Sequence, residues 1–213
     1  MTRVAYYFDY KSPYAYLADA ASQALAAAPG VVLEWVPYTL QIPKYLGAAR
    51  LDADGRDTLG TRNDHQWRRV RYAYMDCRRE ANRRGLTIRG PRRIFDSVPA
   101  HAAFLYVSGR PGWARFHAAV FERFWRRELD IEDAGALRAV LEECGFDGAG
   151  LADWLAGEGR AAHDALQAAA EAAGVFGVPS WRVDDELWWG LERLPRVCER
   201  LGVTVPGCGW IDT

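Results

Sequence analysis

The chain has 213 residues, half of them hydrophobic and about a quarter charged, with a formal net charge of -1 at pH 7. That length carries one sizeable core, or one domain with a large insertion, and the high apolar content with low net charge argues against disorder. No apolar run approaches the roughly 18 residues of a membrane span. The opening MTRVAYYFDYKSPY carries Arg3, Asp9 and Lys11 without the apolar stretch of a signal peptide, so the expected location is cytoplasmic. Cys77, Cys144, Cys198 and Cys208 lie far apart, with no CxxC and no zinc-finger spacing. A disulfide scaffold and a metal site are therefore not expected, and the thiols are expected to be reduced.

Residues 3–9 form an aromatic and β-branched run that reads as a strand, ending before Ser12-Pro13. Serine then proline is an N-cap and first-turn pair, and the alanine-rich run that follows predicts a helix to Pro29-Gly30. Residues 31–38 read as a second strand, completing a βαβ unit with a parallel pair. Residues 41–63, punctuated by Pro43, Gly47, Gly55 and Gly60, read as loop with short turns. Helices are expected over 64–84, 97–109, 112–128, 133–144 and 160–173, with a further segment at 148–156. From Gly174 the pattern returns to strands at 180–183 and 186–189 around an Asp184-Asp185 turn, and a closing helix spans 192–201. The order is β-α-β, a helical block, then β-β-α. Without the block it is the thioredoxin order, so the predicted fold is α/β, with residues 1–40 plus 174–213 as one domain and 41–173 as an all-helical insertion.

Ten arginines lie between Arg68 and Arg93 against only Asp76 and Glu80, which reads first as a solvated helix face. No nucleic-acid-binding motif accompanies them, and no nucleic-acid or membrane partner is expected. Asp130, Glu132 and Asp133 read as caps at a helix start, and the four histidines have no metal-binding spacing. Ser12 sits where a strand feeds a helix, whose open N–H groups and partial positive charge stabilise an anion; an ordinary capping role fits the same position. The Val178-Pro179 bond reads either as trans at a strand edge or as cis, with the Val178 backbone open to a peptide-like ligand. Three tryptophans, Trp181, Trp188 and Trp189, are too many for one face of a short hairpin, so one of the last two should point away from the sheet core.

The motif YYFDYKSPYAYLA resembles the opening of the 2-hydroxychromene-2-carboxylate isomerases and kappa-class glutathione transferases, and GVFGVP followed by WWG and ERL resembles their second signature. Tyr72, Asp76, Arg79, Ala81 and Gly85, then Trp125 through Asp130-Ile131, fall in the same order, so the similarity runs over nearly the whole chain. The resemblance implies a DsbA-like thioredoxin fold with a helical insertion, a homodimer, and reduced glutathione as cofactor. It implies that Ser12 stabilises the glutathione thiolate, which adds reversibly to a conjugated aromatic carboxylic acid and frees a double bond to rotate. Pro13, Tyr14, Val178, Pro179, Leu191, Glu192 and Arg69 are then the other cofactor-binding candidates, and Lys11, Phe95 and Trp188, with Tyr14, would wall the substrate pocket. Leu191-Glu192 stands where the family has a small or polar residue and Asp, which binds the γ-glutamyl amine. Arg69 replaces a lysine that helps hold the glycine carboxylate, Asp96 replaces an Asn, and Lys11 replaces an apolar residue. The family's Asn-Lys-Pro-Pro-like loop has no match in residues 47–63. A kappa-like transferase, in which the adduct is the product, and a non-catalytic small-molecule binder that has lost glutathione are the alternatives. Ser12-Pro13-Tyr14-Ala15 has no cysteine pair, which excludes dithiol exchange there.

Overall fold

A computed structural model describes residues 1–206, so Cys208 lies outside the described residues. The chain divides into two compact units, Met1–Leu40 with the chain from Ala162 onward, and Gln41–Ala161.

The first unit holds β1 (Thr2–Phe8), α1 (Pro13–Ala26), β2 (Val31–Pro37), most of α8 (Glu158–Ala172), β3 (Ser180–Val183), β4 (Glu186–Trp189), a 3-10 turn (Leu191–Arg193) and α9 (Leu194–Leu201). The sheet order is β2-β1-β3-β4, with β1 parallel to β2 and antiparallel to β3, and β4 antiparallel to β3. The βαβ unit and the hairpin thus share β1 as a central strand, and residues following its C-terminal end lie beside those leading into β3. Tyr6 stacks on Trp181 at 5.2 Å, meets the edge of Trp35 at 5.0 Å, and donates its hydroxyl to the carbonyl of Ala15 at 3.3 Å. Tyr6 and Trp181 are fully buried, each contributing roughly 1.5–3 kcal/mol by leaving water. The hairpin turns at Asp184, whose φ of 53° is left-handed, a conformation that Asp tolerates better than most residues.

α8 starts at Glu158, yet from Ala162 it belongs with the first unit rather than with the helical block in which its sequence places it. The reason is polar: His163 Nε2 meets Thr39 Oγ1 at 2.9 Å, and the Gln167 side chain accepts from the Thr39 N–H at 2.8 Å and donates to its carbonyl at 3.4 Å. The closing helix is also shorter than its pattern, because a 3-10 turn occupies Leu191–Arg193 before α9.

The second unit holds α2 (Ile42–Leu46), α3 (Asp64–Arg83), α4 (Val98–Val107), α5 (Trp113–Arg126), α6 (Ala134–Glu143) and α7 (Leu151–Ala156). The short α2 falls inside the segment expected to be loop; its Pro43 supplies a first-turn residue rather than a break. α4 packs on α5, α6 and α7 and is apolar nearly all round, as a helix enclosed on several sides must be. Phe104, Phe116, Phe121, Trp125, Ile131 and Leu137 fill this unit's core.

The acidic group before α6 corrects its sequence reading. Asp133 alone caps the helix, accepting from the Ala136 N–H at 2.8 Å. Asp130 and Glu132 instead hold Arg93 at 3.2 and 2.6 Å, and Glu132 also accepts from the Asp96 N–H at 2.6 Å. Cys77 and Cys144 are free thiols.

Candidate active site

Ser12 closes a tight turn after β1. Its N–H donates to the carbonyl of Asp9 at 2.9 Å, and its own carbonyl accepts the first helical bond, from Tyr16 N–H at 3.1 Å. The side chain caps α1 by accepting from the Ala15 N–H at 3.2 Å, and Pro13 takes the first helical turn. Ser12 is only 4% exposed, so its hydroxyl sits at a positive helix end largely screened from water.

The partner facing it comes from 166 residues away. Ser12 Oγ donates to the carbonyl of Val178 at 3.5 Å, and the Val178-Pro179 peptide bond is cis, the alternative left open by the sequence. At 3.5 Å this contact is long for an O–H donor, so the proton is weakly held and free to turn toward an anion at the helix end. The loop is fixed on both sides: Ser180 Oγ donates to the Gly177 carbonyl at 2.7 Å, and Gly190 N–H donates to the Pro179 carbonyl at 2.9 Å. A Cβ at Gly177 would lie 2.5 Å from Trp189 Nε1, so a side chain there requires the indole to shift.

Leu191 is buried in the 3-10 turn, which packs against α1, and Tyr14 is half-buried in the first turn of that helix. Glu192 is exposed; its carboxylate folds over Gly190 and lies 3.9 Å from Arg193 Nε. Trp189 is the tryptophan that faces outward, 51% exposed against Phe176 at a ring distance of 4.9 Å. Trp188 is half-buried, with its indole N–H enclosed and lacking a hydrogen-bond partner. Arg69 is exposed on α3 and Phe95 is half-buried between the Arg93 guanidinium, 3.8 Å above its ring, and the edge of Phe124; both belong to the second unit.

Lys11 is enclosed beside Asp9. Only 6% exposed, it places Nζ 3.4 Å from Asp9 Oδ2. The fully buried Asp9 stands three residues before Ser12. It also accepts the Lys11 N–H at 3.0 Å and the Leu40 N–H at 2.8 Å.

The Cys77 and Cys144 thiols are poorly suited to nucleophilic work. Burial pushes the Cys77 thiol up to about 11, and burial also raises that of Cys144. Burial likewise holds the Tyr6 and Tyr10 hydroxyls well above their ordinary value, with the Asp19 carboxylate adding to the effect. Among the described residues there is no cluster of three or more His, Cys, Asp or Glu side chains able to hold a metal, and no helix long and apolar enough to cross a membrane.

The family model for the DSBA-like thioredoxin domain matches residues 3–202. A 2-hydroxychromene-2-carboxylate isomerase from Sphingobium xenophagum is 29% identical over 194 residues, covering 90% of this chain and 93% of the relative. A solved structure of 2-hydroxychromene-2-carboxylate isomerase superposes with a TM-score of 0.72 at 25% identity, covering 94% of each chain. The cytosolic disulfide reductase DsbM of Pseudomonas aeruginosa, solved with GSH, shares the fold at a TM-score of 0.59 and 18% identity, covering 87% of this chain and 88% of its own.

Proposed function

This chain belongs to the DSBA-like thioredoxin domain family, and on that premise we propose that it is a glutathione-dependent cis-trans isomerase of the 2-hydroxychromene-2-carboxylate type. The observation that carries the reading is the Ser12 hydroxyl, buried at the N-terminus of α1 and only loosely committed to the Val178 carbonyl.

The residues present fit the cofactor. When bound, reduced glutathione supplies a sulfur that is both a strong nucleophile as thiolate and a fair leaving group. Ser12 would donate its O–H to that sulfur, and the first-turn N–H groups of α1 would add the helix-end field, favouring the anionic form. The backbone of Val178, whose carbonyl faces Ser12, offers an edge for pairing with a tripeptide main chain. Leu191 shapes the adjoining surface, and Glu192, exposed and only 3.9 Å from Arg193, is the carboxylate for the γ-glutamyl amine. Tyr14 and Trp188 are assigned to the aromatic substrate, with Lys11, paired to Asp9, next to Ser12 in the chain. The reading includes a cytoplasmic homodimer.

Calorimetric titration with reduced glutathione tests the assignment. Saturable binding is expected in the wild type, lost in Ser12→Ala and weakened in Glu192→Ala. Absence of heat at millimolar glutathione removes the cofactor and with it the isomerase reading. With 2-hydroxychromene-2-carboxylate as substrate, isomerisation returns glutathione unconsumed, whereas stoichiometric consumption assigns a transferase instead.

A further inference from the structure

The Asp9–Lys11 pair has features that a simple surface ion pair lacks. Asp9 is fully buried and Lys11 nearly so, within the four-residue turn that ends in Ser12. Asp9 gathers donors from the framework around Ser12. Its carbonyl takes the Ser12 N–H at 2.9 Å, Oδ1 takes the Lys11 N–H at 3.0 Å, and Oδ2 takes the Leu40 N–H at 2.8 Å with Lys11 Nζ at 3.4 Å. The first two bonds close the turn, and the third fastens it to the chain leaving β2. A buried carboxylate this close to an anion-stabilising helix end would oppose the anion through a medium that screens poorly. The Lys11 ammonium cancels that charge without reaching the surface.

We propose that Asp9 and Lys11 are joint positioning residues for Ser12: Asp9 shapes the turn that presents the hydroxyl, and Lys11 keeps that turn electrically neutral so that the helix end can hold an anion. The consequence for glutathione rests on the function proposed above, but the electrostatic part does not. Other titratable groups on the surrounding elements are otherwise engaged. Tyr6 and Tyr10 stay neutral through burial, His163 on α8 meets Thr39 and Asp164, Glu192 in the 3-10 turn meets Arg193, and Asp19 on α1 raises the two tyrosines.

A thiol introduced by Ser12→Cys reports the local field directly, with no need for glutathione. Its ionisation midpoint is read from ultraviolet thiolate absorbance across a pH series in the full-length protein. Against the Ser12→Cys background, Asp9→Asn is expected to lower the midpoint and Lys11→Met to raise it, each by about one pH unit, a tenfold change in the ionisation ratio. The double change Asp9→Asn with Lys11→Met keeps a polar side chain in the turn and is expected to return the midpoint to that of the background. That variant also guards against loss of a single charge partner unfolding the chain. A packing role would move both single variants in the same direction or neither, and either result overturns the proposal. Failure of the wild type to bind glutathione would sink the isomerase reading while leaving these opposed shifts in place.

Discussion

Asp9 in the first unit and Asp57 in the second each gather backbone N–H groups to shape a turn, yet they do so in opposite surroundings. Asp57 accepts from Arg50 and Leu59 at 3.1 Å each and from Gly60 at 3.2 Å, at the surface of the segment between α2 and α3. Asp9 takes the Lys11 and Leu40 N–H groups while fully buried, with the Lys11 cation folded in against it. Water solvates the charge that the Asp57 turn leaves over; at the buried turn a side chain has to do so. The same local motif is therefore inexpensive in a surface loop and requires a partner where a reactive group is to be shielded.

Urea denaturation at neutral pH should make that contrast measurable. Lys11→Met strands a buried carboxylate and is expected to lower stability by about 3 kcal/mol, the largest effect of the series. Next, Gly177→Ala drives a methyl group into the Trp189 indole, whose Nε1 lies 2.5 Å from the Cβ position. About 2 kcal/mol and a changed tryptophan emission spectrum are expected. Ser12→Ala removes a helix cap, with a cost of about 1 kcal/mol alongside the loss of glutathione binding.

The smallest effect is expected from Asp57→Asn, and it carries a pH signature. The Leu59 N–H is the main cause holding the Asp57 carboxyl below its usual range; partial desolvation opposes it, and the Arg50 and Gly60 N–H groups and the Arg62 charge assist. A depressed carboxyl contributes its stability above the unfolded group's titration and loses it as pH falls through the folded value. Wild type and Asp57→Asn should therefore differ slightly at neutral pH and converge in acid. A difference that widens in acid would contradict the assignment.

What can be read from sequence follows the range of the forces involved. The Ser12-Pro13 start of α1, the hairpin turn at Asp184 and the Asp133 cap rest on neighbours a few residues away, and all three are visible as local patterns. The isomer at Val178-Pro179 is not, because both forms suit the same dipeptide. In the sequence Lys11 is a loose positive charge, because its partner is recognisable only once the turn is buried. Aspartate three residues before a capping serine is the available signal, and pairing it with Lys11 requires knowing that both are enclosed. Arg93 illustrates the same limit, since Asp130 and Glu132 reach it from 37 and 39 residues away. Leu191 and Glu192 can be placed in the chain, whereas the fold of the Glu192 carboxylate over Gly190 depends on the left-handed backbone at that glycine, with φ of 106°.

The central position of β1 has a consequence for the order of events at the ribosome. Its antiparallel neighbour, β3, starts at Ser180, and the Val178 carbonyl facing Ser12 arrives just before it. At roughly 5–20 residues per second, synthesis leaves β1 and α1 waiting on the order of ten seconds for that neighbour. Through that interval β1 is paired on one side only, with β2, and the serine lacks its Val178 contact. The contact between Ser12 and the Val178 carbonyl thus reports that synthesis has passed β3, and a chain truncated before Ser180 should emerge with an unpaired strand edge on β1.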